Sequence, residues 1–469
     1  MQTTPCNGKT GHMNSAWYFT AEWDPVPVRR GDALGFRAGA DHFAELLAPG
    51  LSNSTVDARW ITLLSWCLKW SHVTWKNAGG IDLSRRDDQR ARYAWLRPLE
   101  LLWVTRALKA GQDTGQLRGR RSIERWIKGK QLAPNFAMSP DQFRRYRQVG
   151  TYGAYRVVFR TIPGLTKDGD GWTPDDIAHR LAELANDSLP YATRLLDEHF
   201  EQRTQWGRWG GGHEARYWLE RGWSASLEDT GGLRPTTDAG AREPLPEKER
   251  RLLASALFSA GSTRRLTADV LAKAKGARSH ADLCNALANS KALQKTLGPA
   301  KLAALPAFSR FADAAMDAMR ALWSGINHDD KAPAPSIAKL ASSAELKLRL
   351  NQLRNESQAW LKTPARVDFP HQQLVTSLAE AMRDATTPDK QLRALVGHHK
   401  QYGGGRPWFE QQGDKLVPLV ADTDVAASDY RFRLLALSRL AAQCGVANMN
   451  NALNALVLRE SGDEEGDVL

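Results

Sequence analysis

The 469-residue chain is 42% hydrophobic and 25% charged, proportions of a globular protein that exclude bulk disorder. Its longest apolar run, residues 61–70, contains Lys69 and falls short of the roughly 20 residues a membrane helix needs. Its formal charge of +12 is unevenly spread: residues 85–160 hold eighteen Lys or Arg against six Asp or Glu, an excess equal to that of the whole chain.

The length exceeds one ordinary core, so a multi-domain, mainly α protein is expected. The first residues lack the charged-then-apolar pattern of a secretory signal, which points to a cytoplasmic location and no membrane partner. Cys6, Cys67, Cys284 and Cys444 are scattered, with no CxxC pair. Neither a disulfide framework nor a zinc site is expected. Cys67, Cys284 and Cys444 fall in apolar helical patterns and are read as small core residues.

In chain order, residues 1–55 are punctuated by Pro25, Pro27, Gly31, Gly35, Gly39, Pro49 and Gly50, with a helix predicted over 41–47. Thr55 is placed to cap the next helix, which carries Val56, Trp60, Leu63, Leu64 and Cys67 at helical spacing. A helical pattern over 90–110 carries Pro98, a kink or a break.

Ser139-Pro140-Asp141 reads as a helix start. An apolar stretch follows over 152–162. Residues 165–172, with Asp168, Gly169, Asp170 and Gly171, read as a short hairpin. Thr173-Pro174-Asp175-Asp176 then opens another helix, with Thr173 as cap. Helix, helix, hairpin and helix make a winged-helix-like segment over 139–187.

Fourteen of the seventeen tryptophans occur by Trp223. This sets a Trp/Arg-rich mainly helical domain, 1–223, apart from an Ala/Leu-rich helical domain, 247–460. Residues 224–246, with Gly231, Gly232, Pro235, Gly240, Pro244 and Pro246, form the linker between them. In the second domain Leu253 and Leu257 stack at one turn, as do Leu346, Leu350 and Leu353, and Tyr430, Leu434 and Leu437. No fixed repeat period is present. Residues 461–469 form an acidic tail.

The first candidate site is a nucleic-acid contact. Ser122 can cap a short helix bearing Arg125 and Lys128, preceded by Arg118, Arg120 and Arg121 and followed by Lys130. Arg144, Arg145 and Arg147 lie on the next helix. Guanidinium forks bind phosphate bidentately, and helix N-termini add N–H donors. Such contacts follow a backbone without reading bases. Pairing with an acidic partner protein, or with acids in the same fold, is the alternative.

A second candidate combines His398 and His399 with Arg406 and Trp408 around Gly403, Gly404 and Gly405, as an anion pocket or metal site. No HxxxH, HxH or nearby carboxylate pair completes a ligand set. The plainer reading is a loop and hairpin on a helical domain, with 415–418 as a strand. A third stretch, Trp206, Arg208, Trp209 and His213 among glycines, is either a base-stacking loop or a surface turn.

Known catalytic signatures are missing: no GxxxxGK[ST], GxGxxG, GxSxG or HExxH occurs. Pro174-Asp175-Asp176 and Pro388-Asp389-Lys390 contain fragments of a metal-nuclease pattern, but each fits a helix start. No cofactor, metal or catalytic residue is assigned.

Three blocks resemble uncharacterised bacterial proteins encoded beside helicases and nucleases in anti-phage defence gene clusters. The first is Asp32-Ala33-Leu34-Gly35 with Leu46-Leu47-Ala48-Pro49-Gly50-Leu51-Ser52 and residues 55–66. The second is Tyr152-Gly153-Ala154-Tyr155 with Gly171-Trp172-Thr173-Pro174. The third is Asp429-Tyr430-Arg431-Phe432-Arg433-Leu434. The resemblance implies a setting, with helicase or nuclease subunits as partners, and transfers no catalytic residue. The expected function is a non-catalytic DNA-binding and assembly subunit of a defence complex. A protein-only scaffold binding an acidic partner and an unrecognised metal-dependent nuclease are the alternatives.

Overall fold

The computed structural model describes residues 32–77, 150–187, 245–327, 333–363, 371–402, 407–419 and 431–448, with Arg92, Leu96, Leu99, Glu100, Trp103, Val104 and Phe369. Among these residues the protein is mainly helical, with one two-stranded sheet. No described helix is long and apolar enough to cross a membrane. The cap at 139–141, the linker residues 224–244, the loop 206–214 and the tail 461–469 lie outside the described residues.

Helix α1, Arg37–Leu47, begins a turn earlier than predicted. Its first turn is made of Ala38, Gly39 and Ala40, small residues that bring it close to a neighbour. A Cβ added at Gly39 would lie 2.6 Å from the Phe308 ring. Phe43 then enters an aromatic cluster with Phe308, Phe369 and Phe432, at centroid distances of 5.0, 6.2 and 5.6 Å.

Helix α2, Arg59–Asn77, is capped by Asp57 and not by Thr55. The Asp57 carboxylate accepts the Arg59 N–H at 2.9 Å. Thr55 stays in the preceding loop, with its hydroxyl on the Ser52 hydroxyl. Tyr155 of helix α3, Thr151–Thr161, explains the shift. Its hydroxyl donates to the Asp57 carbonyl and accepts the Asp57 N–H, at 2.9 and 3.0 Å, fixing the chain just ahead of the helix.

The hairpin predicted over 165–172 forms a tight turn closed by a single antiparallel bridge, Thr166 to Pro174. Pro174 has no N–H to extend a ladder. Asp168, Gly169 and Gly171 all take positive φ. The Asp170 carboxylate accepts the N–H groups of Trp172 and Thr173. Helix α4, Asp176–Asp187, follows. Its start falls on Asp175, whose carbonyl accepts the His179 N–H and whose carboxylate accepts the Asp176 N–H. Thr173, the predicted cap, lies in the turn instead. Helix α4 packs along α2.

The second half is a helical array: α5 Glu247–Leu257, α6 Thr263–Lys273, α7 His280–Ala288, α8 Lys291–Leu297, α9 Pro299–Ile326, α10 Ile337–Ser342, α11 Ala344–Lys362, α12 Gln372–Asp384 and α13 Pro388–Tyr402. Strands β1 Phe409–Gln412 and β2 Lys415–Pro418 form the expected hairpin, with 415–418 as its second strand, and helix α14 Leu434–Gln443 is the next described element. Serines cap α6, α7, α8 and α10. Leu253, Leu257, Leu346, Leu350, Leu353, Leu434 and Leu437 are all buried, each contributing about 1.5–3 kcal/mol of apolar burial. The 28-residue α9 is the axis, packed against α7, α8, α10 and α11. Pro306 lies inside it, and so the Leu302 carbonyl loses its usual intrahelical donor.

Across the 224–246 boundary the described residues share one apolar core. Buried Arg264 donates to the Pro49 carbonyl at 2.9 Å, and Thr267 to that of Leu47 at 2.9 Å. Arg59 pairs with Glu249 at 3.0 Å, both side chains less than 5% exposed. The first two sequence blocks touch directly, and the third reaches helix α1. Ser52 bonds the Ala154 carbonyl, Phe432 packs on Phe43, and Arg433 pairs with Glu45 at 2.7 Å.

Candidate functional site

His398 and His399 are neighbours near the C-terminal end of α13, and both are buried. Helical geometry sends adjacent side chains in different directions, yet here they meet consecutive carbonyls of the bend that precedes α1. His398 Nε2 lies 2.9 Å from the Leu34 oxygen, and His399 Nδ1 lies 2.7 Å from the Ala33 oxygen. The other His399 nitrogen, Nε2, accepts the Trp408 N–H at 2.9 Å. His399 is thereby fixed as the neutral tautomer with its proton on Nδ1.

Burial lowers the pKa of both rings, against the opposing pull of the carbonyl each bonds. Trp408 is buried, and Phe409 packs 4.7 Å from the His399 ring. The pair therefore clamps residues 33–34 and the β1–β2 hairpin onto α13. A metal ion needs a free nitrogen lone pair, and His399 spends its own on Trp408. Arg406 lies outside the described residues. No group of three or more His, Cys, Asp or Glu side chains among the described residues is arranged to hold a metal.

The two acidic fragments are helix starts, as their sequence context implies. Asp175 bonds its own helix. Asp389 pairs with Arg393 one turn on, at 2.9 Å.

The nine cations of the first candidate, Arg118, Arg120, Arg121, Arg125, Lys128, Lys130, Arg144, Arg145 and Arg147, lie outside the described residues. Three other arginines of the basic window are described, and they differ sharply. Arg92 is buried: one arm donates to the Trp172 carbonyl at 2.7 Å and the other to His72 Nδ1 at 2.9 Å. Burial pushes the Arg92 pKa down to about 10, against the attraction of Asp170. His72 is pushed down to about 4, by burial first and then by Arg92, and so stays a neutral acceptor. Arg156 stands over the Trp172 ring, 5.2 Å from its centre. Arg160 is exposed. The Tyr152 hydroxyl bonds the Gly171 carbonyl and completes a polar knot that holds the turn against α2.

A second basic region was not singled out by the sequence reading. Residues 273–301 contain Lys273, Lys275, Arg278, Lys291, Lys295 and Lys301 against the single acid Asp282. All six cations are exposed, whereas Asp282 is spent on the capping box of α7. A charge count over this short window would have found it; the larger excess at 85–160 masked it. Beside it, α7, α8, α9 and α11 enclose an open cleft of about 520 Å³.

No family model, curated protein or solved structure matches the chain.

Proposed function

We propose that this protein is a non-catalytic DNA-contacting and assembly subunit, working beside helicase or nuclease partners in an anti-phage defence complex. The observation that carries the reading is the concentration of the chain's entire net positive charge in residues 85–160. Clustered arginines displace counterions from a phosphate backbone, which drives sequence-independent binding. Arg118, Arg120, Arg121, Arg125, Lys128, Lys130, Arg144, Arg145 and Arg147 are the contacts, while buried Arg92 serves the fold. The metal-nuclease reading that used His398 and His399 loses support from their geometry, since both rings are engaged in structural hydrogen bonds.

The test is binding of labelled double-stranded DNA by the full chain across a salt series, beside an Arg120→Glu/Arg121→Glu variant. The expected outcome is affinity that falls steeply with salt, by about 10³-fold or more between 50 and 200 mM if six or more phosphates are contacted. The variant should bind more weakly and show a shallower slope. Binding insensitive to salt, or unchanged in the variant, overturns the proposal.

A further inference from the structure

The cleft beside the second basic region has the chemistry of a peptide groove. Its floor is one stripe of α9, in which Ala303, Pro306 and Ala307 present little bulk. Pro299 and Arg310 mark its ends along that helix. The eleven steps from Pro299 to Arg310, at about 1.5 Å each, span about 16 Å, the length of about five extended residues.

Its walls are polar. Asn285 and Asn289 come from α7 and the turn after it, Gln294 from α8, and Lys362 and Thr363 from the end of α11. Carboxamides carry both a donor and an acceptor, the complement of a peptide group. Gln294 spends one N–H on the Ala288 carbonyl at 2.7 Å and keeps its oxygen. No lining residue is acidic. Arg310 is held in place by Glu356 at 3.1 Å. Lys362 is exposed, as are Lys291 and Lys295 on α8, and none of the three pairs with a described carboxylate. No aromatic side chain lines it, so it offers no stacking platform for the bases of a single strand.

We propose that this cleft docks an extended acidic peptide segment of a partner protein. Its backbone lies on the Ala and Pro floor, Asn285, Asn289 and Gln294 hydrogen-bond its peptide groups, and Lys362, Arg310 and the neighbouring lysines meet its carboxylates. The proposal rests on described residues alone and does not depend on the DNA reading.

The experiment measures fluorescence polarisation of a labelled Glu/Asp/Gly peptide titrated with the full chain at low salt. Ala303→Trp fills the floor from an exposed position, and Lys362→Glu reverses the charge of the wall. Both should weaken binding about tenfold or more while leaving the melting temperature in place. Arg120→Glu/Arg121→Glu should leave peptide binding unchanged, which separates this site from the DNA contact. No binding of the peptide, or binding that survives both cleft variants, overturns the proposal. So does a labelled single-stranded oligonucleotide that outbinds the peptide and is displaced by Ala303→Trp.

Discussion

The described cations of the two basic regions differ in where they point. In the window over 85–160, Arg92 turns wholly inward and is spent on a backbone carbonyl and a neutral histidine, while Arg160 faces solvent. Over 273–301 every cation faces out, and the lone acid is consumed by a helix cap. A charge count therefore measures how much positive charge a segment carries, not how much it presents. A partner meets only what is presented.

The strongest way to break this contrast is to expose the cost of an inward charge. Arg59 and Glu249 form a pair that is nearly sealed from water. Glu249→Ala leaves Arg59 buried without its counter-charge, and a loss of about 3–5 kcal/mol is expected from chemical denaturation. A loss below about 1 kcal/mol would mean that water reaches the guanidinium and that the inward class is not distinct.

A smaller effect comes from the buried histidines. Desolvation holds His280, His398 and His399 below the ordinary value of 6.5. For a base with a lowered native pKa, the unfolded chain takes up protons that the native chain refuses. Stability is thus full above about pH 6.5 and declines as the pH falls below it. Each group adds up to about 1.4 kcal/mol per pH unit. Denaturation midpoints measured from about pH 7.5 downward should fall, and His398→Gln should flatten part of the slope. A level profile across that range would show that these rings are already hydrated.

The least effect belongs to the outward lysines. Lys291→Ala/Lys295→Ala should change stability by no more than about 0.5 kcal/mol per site, while weakening capture of the acidic peptide. A large stability loss would place these side chains in contacts that their exposure does not suggest.

Helices were legible wherever apolar spacing and a cap agreed. Leu346, Leu350 and Leu353 gave α11 its buried face, and Pro388 marked the first residue of α13. Local signals failed where distant residues decided the outcome. Thr55 lost the cap of α2 because Tyr155 fixes Asp57 from almost a hundred residues away. The turn at 165–172 carried hairpin residues, but Pro174 stopped the ladder after one bridge. An anion or metal role for His398 and His399 stayed open beside the plainer loop-and-hairpin reading because the sequence cannot show that the carbonyls of residues 33–34 meet both rings. The cleft was invisible for the same reason, since it is assembled from four helices.

The pairing of Arg433 with Glu45 joins residues 388 apart in the chain, and Phe432 beside it covers Phe43. On a ribosome adding about 5–20 residues per second, roughly 20–80 s separate the emergence of those partners. Through that interval the apolar face of α1 waits for its final cover. The packing of α1 is therefore completed only when the segment around residues 432–433 has been made.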